Sequence, residues 1–341
     1  MKYNMKQWLS DLLHTNEKKP MPLLSFPSVS LIGVKVGDII SNSEMQARGM
    51  KAVAERTDAA ASVSFMDLSV EAECFGAKIV FSDDEVPTVD GRIIEDIEDA
   101  DTIEIPAVGS GRTQIYIDAI KQAKALITDR PVLAGIIGPY SLAARLLDVS
   151  EMMMDCYDDP DSAHIVLQKT TEFLLSYARA YKEAGADGIV MAEPVAGLLS
   201  PSLEEEFSSP YVKRIVDELQ DDSFIVIYHN CGDNVPKMLD SITSTGCAAY
   251  HFGNAVDIAR DIMPKISSDT FVMGNIDPAG TLKMGTPEKV RAEVLDLLGK
   301  CSGYKNFLLS SGCDIPHSAP WENLDAFFAA SKEFFKGKSK A

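Results

Sequence analysis

The sequence predicts a (β/α)8 barrel, an α/β fold of the TIM type. Short, almost wholly apolar runs alternate with longer helical patterns, as strands covered on both faces do. The runs lead into clusters of Gly, Pro, Asp and Asn. Their number comes to about eight, which favours a closed barrel over an open doubly wound sheet. No GxGxxG follows a run and no P-loop is present.

The chain begins with MKYNMKQWLSDLLHTNEKKP, a short amphipathic helix read as an N-terminal helical extension over 1–20. Residues 21–341 are expected to form one barrel domain. Two less regular strands fall near SVSFMDL and KIVFSD. Six clearer ones follow: Pro131 to Gly138, Asp187 to Pro194, Ser223 to Asn230, Ala248 to Asn254, Thr270 to Pro278 and Asn306 to Cys313. Helical patterns such as AHIVLQKTTEFLLSYARAYKEAG separate them. The helix PEKVRAEVLDLLGK should start with Thr286 as N-cap and Pro287 at its first position.

The chain has 341 residues and a formal charge of −19. Such a surface repels nucleic acid and anionic membrane. No apolar run reaches the roughly 20 residues of a membrane span, and none resembles a signal peptide. A cytoplasmic protein is expected, with its six scattered cysteines reduced.

The stretch YHNCGD places one of five histidines two residues from one of those cysteines. In a strand, residues i and i+2 share a face, so His229 and Cys231 can reach one ion. Gly232 then allows a sharp turn. Cys313 closes the last strand, and in a barrel distant strand ends converge on one face. Taken alone, Cys313 reads as a buried apolar residue. Taken together, His229, Cys231 and Cys313 have the chemistry of a zinc site with an open fourth position. Zinc carries two positive charges and the thiolates cancel them. Such a site favours taking in a substrate thiol and holding it as a nucleophile, so the reaction it suits is thiol alkylation. Glu193 in MAEP is either a fourth ligand and proton acceptor or a carboxylate satisfied by backbone N–H groups. His251, Asn275 and Asp277, with Asp83, are expected at strand ends lining the mouth.

The segments HNCGDNVPKMLDSITSTGCAAYHFGN, VMGNIDP and LLSSGCDIP resemble the methylcobalamin:coenzyme M methyltransferase branch of the uroporphyrinogen decarboxylase superfamily. GIIGPYSLAARLL, MAEPVAGLLSP and KIVFSDDEVPTV fit the same superfamily. The resemblance implies a barrel with His229, Cys231 and Cys313 on zinc. It implies methyl transfer from methylcobalamin on a partner corrinoid protein to the thiol of coenzyme M. It aligns Asp83 with the decarboxylase's catalytic aspartate. The arginine-rich motif of the decarboxylases is missing from NSEMQARGMKAVAER, although Arg48 and Arg56 remain. No D-x-H-x-x-G cobalamin motif is present, so cobalamin must arrive on the partner. Another thiol or tetrahydrofolate as acceptor, and a uroporphyrinogen decarboxylase-like lyase, are the alternative readings.

Overall fold

The computed structural model describes residues 2–338; Met1 and residues 339–341, the outer ends of the two expected segments, lie outside them. The strands in chain order are β1 (Ser62–Val63), β2 (Lys78–Val80), β3 (Thr88–Asp90), β4 (Val132–Ile137), β5 (Gly188–Ala192), β6 (Ile225–Asn230), β7 (Ala249–Phe252), β8 (Phe271–Ile276) and β9 (Phe307–Ser311). Seven of them form one parallel sheet in the order β1-β4-β5-β6-β7-β8-β9. The six clear strands of the sequence are all there, each trimmed to its apolar centre. The helix Pro287–Lys300 starts as expected, with Thr286 capping the N–H of Lys289. Among the described residues, no helix is long and apolar enough to cross a membrane.

SVSFMDL supplies β1, but the other early strand differs from expectation. KIVFSD does not enter the barrel. Its β2 pairs antiparallel with β3 as a separate hairpin, with both ends of each strand exposed. The charged residues Lys78 and Asp90 suit that edge better than a stave covered on both faces. The gap between β9 and β1 is instead filled by Pro20–Leu24. Met21 N–H donates to the Leu309 carbonyl at 2.9 Å, and Ala60 N–H donates to the Pro20 carbonyl at 2.9 Å. Two prolines in PMPLL remove N–H donors on the β1 side, which masks the segment as a strand. The extended segment is wholly buried and acts as the eighth stave.

Side chains alternate across most of this wall. Val190, Ala192, Ile225, Ile227, Ala249, Phe271, Met273 and Leu308 fill the barrel interior, joined by Met21 and Leu23 of the extra stave. Their chain neighbours Met191, Val226, Tyr228, Tyr250, Val272 and Leu309 pack against the helices. The N-terminal helix α1 (Met5–His14) closes the lower end. Met5 is fully buried against the interior cluster, and its N–H donates to the Asp222 carbonyl just before β6.

The same alternation decides Glu193. It follows Ala192, an interior residue, so it faces the helical layer. Its carboxylate accepts from Tyr140 N, Ser141 N and Ser141 Oγ at 2.9, 2.9 and 2.6 Å. It therefore satisfies the first turn of the helix Pro139–Leu147, whose N-cap, Gly138, has no side chain to do so. The expectation that Glu193 serves the metal as ligand or proton acceptor is corrected on this ground.

Burial pushes the carboxyls of Glu193 and Glu71 up, each to about 7. The fold thus favours their neutral forms. That contribution is full below the ordinary carboxylate range and is lost as pH rises through about 7. Unfolding free energies of metal-free protein, from urea titrations, should fall between about pH 4.5 and pH 7, by on the order of 3 kcal/mol per group at most. In Glu193→Gln the fall should be shallower; an identical pH slope in that variant contradicts the assignment. A second prediction concerns closure. Leu23→Ala should destabilise the protein by about 2–5 kcal/mol in urea unfolding, because Leu23 fills the barrel interior. An unchanged midpoint would mean that the stave is dispensable.

Candidate metal centre

Strand β6 carries Ile225, Ile227 and His229 on its inner side, and β7 carries Ala249 and His251 on the same side. The two histidines are paired across the sheet. Strand β9 adds Ser310, two residues above the interior Leu308. The apolar filling of the barrel thus gives way, near its C-terminal end, to a polar layer of His229, His251 and Ser310. All three are buried, with His229 2% and His251 1% exposed. Barrel enzymes place their chemistry at this end.

Cys231 and Cys313 stand just above this layer, in the turns after β6 and β9, and are partly exposed. One donor atom from each of His229, Cys231 and Cys313 lies within 4.8 Å of the others. Among the described residues this is the only such group of three or more His, Cys, Asp or Glu. Cys313 Sγ is 3.4 Å from His229 Nε2. A tetrahedral ion with bonds of about 2.3 Å to sulfur and about 2.0 Å to nitrogen sets that edge near 3.5 Å. The donor set therefore fits zinc in chemistry, and the Cys313–His229 edge fits it in spacing.

The two sulfurs act on each other: the Cys313 sulfur beside it pushes the Cys231 thiol up to about 12, and the Cys231 thiol draws that of Cys313 below the ordinary thiol range.

Close backbone packing fixes the turn that carries Cys231. A Cβ on Gly232 would sit 2.4 Å from the Gly197 carbonyl oxygen, and one on Gly253 would sit 2.6 Å from Cys231 Cα. Only glycine lets the loops after β5, β6 and β7 approach so closely. Asn230 Oδ1 accepts from Gly232 N–H at 2.9 Å and completes the turn.

The other expected residues do not join the three-residue cluster. His251 does not line the mouth. It sits behind His229, with Nδ1 of the two rings 2.8 Å apart, and burial holds it neutral, well below the ordinary histidine range. Asp83 is not at a barrel strand end. It follows β2 on the hairpin, is exposed, and pairs with Lys35 at 2.9 Å. Asn275 does lie near the end of β8, where its amide donates to the Gly253 and Val256 carbonyls, both at 2.9 Å. Asp277 accepts from the N–H groups of Ala279 and Gly280, both at 2.9 Å, and starts the next helical turn. Arg48 and Arg56 lie on an exposed helix face, Arg56 paired with Asp325. Ser310 was not singled out from the sequence. Its signal was there, in two serines interrupting the apolar run NFLLSSGC.

Comparison with known proteins agrees with this architecture. The family model described as uroporphyrinogen decarboxylase (URO-D) matches residues 28–334. The chain is 29% identical over 272 residues to the methylcobamide:CoM methyltransferase MtbA of Methanosarcina mazei, covering 79% of this chain and 78% of that one. It is 25% identical over 292 residues to the uroporphyrinogen decarboxylase of Coxiella burnetii, covering 80% and 77%. The solved structure of a methyltransferase from Methanosarcina mazei superposes with a TM-score of 0.87 at 25% identity, over 98% of this chain and all of that one. The chain belongs to the uroporphyrinogen decarboxylase family, and its likeness within that family runs, as its motifs implied, to the methylcobamide:coenzyme M methyltransferase branch.

Proposed function

We propose that this chain is a zinc-dependent, corrinoid-linked methyltransferase. It moves a methyl group from methylcobalamin, carried on a partner corrinoid protein, to a small thiol of the coenzyme M type. The observation that carries this reading is the His229, Cys231 and Cys313 cluster at the upper end of a barrel that resembles methylcobamide:CoM methyltransferases.

Bound zinc supplies a site of net charge near zero that takes in a thiol and keeps its sulfur electron-rich. The protein's part is to present two thiolates and one neutral imidazole, and to leave the fourth position to the acceptor. Glu193 does not compete for that position, because its carboxylate is held by Tyr140 and Ser141 on the far side of the wall. The acceptor's sulfur forms the new carbon–sulfur bond as the methyl's bond to cobalt breaks, and that electron pair stays on cobalt. What the barrel adds is alignment of the two partners.

The purified protein should hold one zinc per chain. Addition of the true thiol, with no methyl donor present, should release close to one proton per site near neutral pH. In Cys231→Ala and Cys313→Ala both signals should be lost while the fold is kept, since the barrel core rather than the ion carries stability. Fully active protein without zinc would refute the reading. On the corrin side we assign Asn275 and Asp277, at the end of β8. Asp277→Asn keeps a residue that can cap the turn while removing the charge. It should raise the KM for methylcobalamin several-fold with little effect on that for the thiol; the reverse pattern would move Asp277 to the thiol side.

A further inference from the structure

Four groups form a continuous line from the metal cluster down to the barrel's extra stave. His229 Nδ1 is 2.8 Å from His251 Nδ1. His251 Nε2 is 2.8 Å from Ser310 Oγ. Ser310 Oγ donates to the Met21 carbonyl at 2.7 Å. All of these side chains are buried, and the line ends on a backbone oxygen.

That last fact sets the direction of every proton along the line. A carbonyl can only accept, so the single proton of Ser310 is spent on Met21. The serine oxygen is then an acceptor, and His251 must present Nε2–H to it. An imidazole that donates from Nε2 accepts at Nδ1, and the 2.8 Å contact between the two Nδ1 atoms has room for one proton only. His229 therefore has to donate from Nδ1, and its own Nε2 is left bare. A second contact requires the same arrangement independently. The His251 carbonyl oxygen lies 3.3 Å from His229 Nδ1, and it too can only accept. The nitrogen left bare is the one 3.4 Å from Cys313 Sγ, at the metal cluster.

We propose that His251 and Ser310 are positioning residues that fix the tautomer of His229, so that Nε2 offers a lone pair to the ion with no proton to displace. The order is anchored by Met21, a residue of the Pro20–Leu24 stave. Closing the barrel and preparing the metal ligand are thus one event. A serine at 310 supplies both the donor and the acceptor that the line needs, which no apolar residue there could do. The proposal rests on the zinc reading for its purpose, but the proton order itself is a property of the metal-free protein.

The test uses full-length, metal-free protein labelled with 15N in histidine. Long-range 1H–15N correlation distinguishes a protonated ring nitrogen from a bare one, and the His229→Gln variant assigns the His229 signals. His229 should carry its proton on Nδ1, and His251 on Nε2. In Ser310→Ala the fixed order is lost, the His229 signals should shift toward the other tautomer, and zinc affinity measured against a competing chelator should fall about 10- to 100-fold. A merely structural role for Ser310 would leave the nitrogen pattern unmoved. A proton on His229 Nε2 in the unmutated protein overturns the proposal. So does an unchanged nitrogen pattern and zinc affinity in Ser310→Ala. If no zinc binds while His229 is protonated on Nδ1, the metal reading fails and the proton order stands.

Discussion

The two-residue alternation of a closed parallel wall is the constraint on which the rest of this molecule depends. In a barrel the inner side of every strand faces one crowded axis, and the outer side faces helices. A residue's parity along its strand therefore decides which chemistry it can join. His229 has the parity of Ile225 and Ile227, and so it reaches the axis. Glu193 directly follows the interior Ala192, and so it is shut out from the axis and buried against a helix start. Both are polar residues at strand ends, and a shift of one position separates a member of the His-Cys-Cys cluster from a helix cap.

The same constraint shows why the polar layer can exist at all. Buried imidazoles and a buried hydroxyl are costly unless each polar atom has a partner. Here the inner side of β6, β7 and β9 brings them to one level, where each satisfies the next. Below them, Met5, Leu12 and the apolar interior exclude water from the lower end. Above them, Cys231 and Cys313 stand partly exposed, where a small acceptor can arrive. The barrel is sealed below and chemically dressed above, which is how its one polar layer becomes directional.

The sequence was most readable where strands are long and apolar, and least where they are short or broken by proline. β4 through β9 announce themselves, because burial on both faces demands continuous apolar runs. The stave Pro20–Leu24 does not, since its two prolines read as loop, and its place in the wall is fixed by partners far along the chain. KIVFSD looks like a stave locally but pairs with its own neighbour. The meeting of His229, Cys231 and Cys313 was legible because spacing and residue type are both local signals: His-x-Cys, then a cysteine after a glycine. The place of His251 was not, since only cross-strand register sets it behind His229 rather than at the mouth. Glu193 was ambiguous for a related reason. Being at a strand end is visible in sequence, whereas which side of the wall the end faces requires the register.

The most direct test of the central claim is X-ray absorption at the zinc edge on the purified protein, before and after addition of the acceptor thiol. The account predicts two sulfur neighbours at about 2.3 Å and a histidine nitrogen at about 2.0 Å, with a third sulfur entering when the thiol is added. A shell made only of light atoms, or a sulfur count that the thiol leaves unchanged, would contradict it.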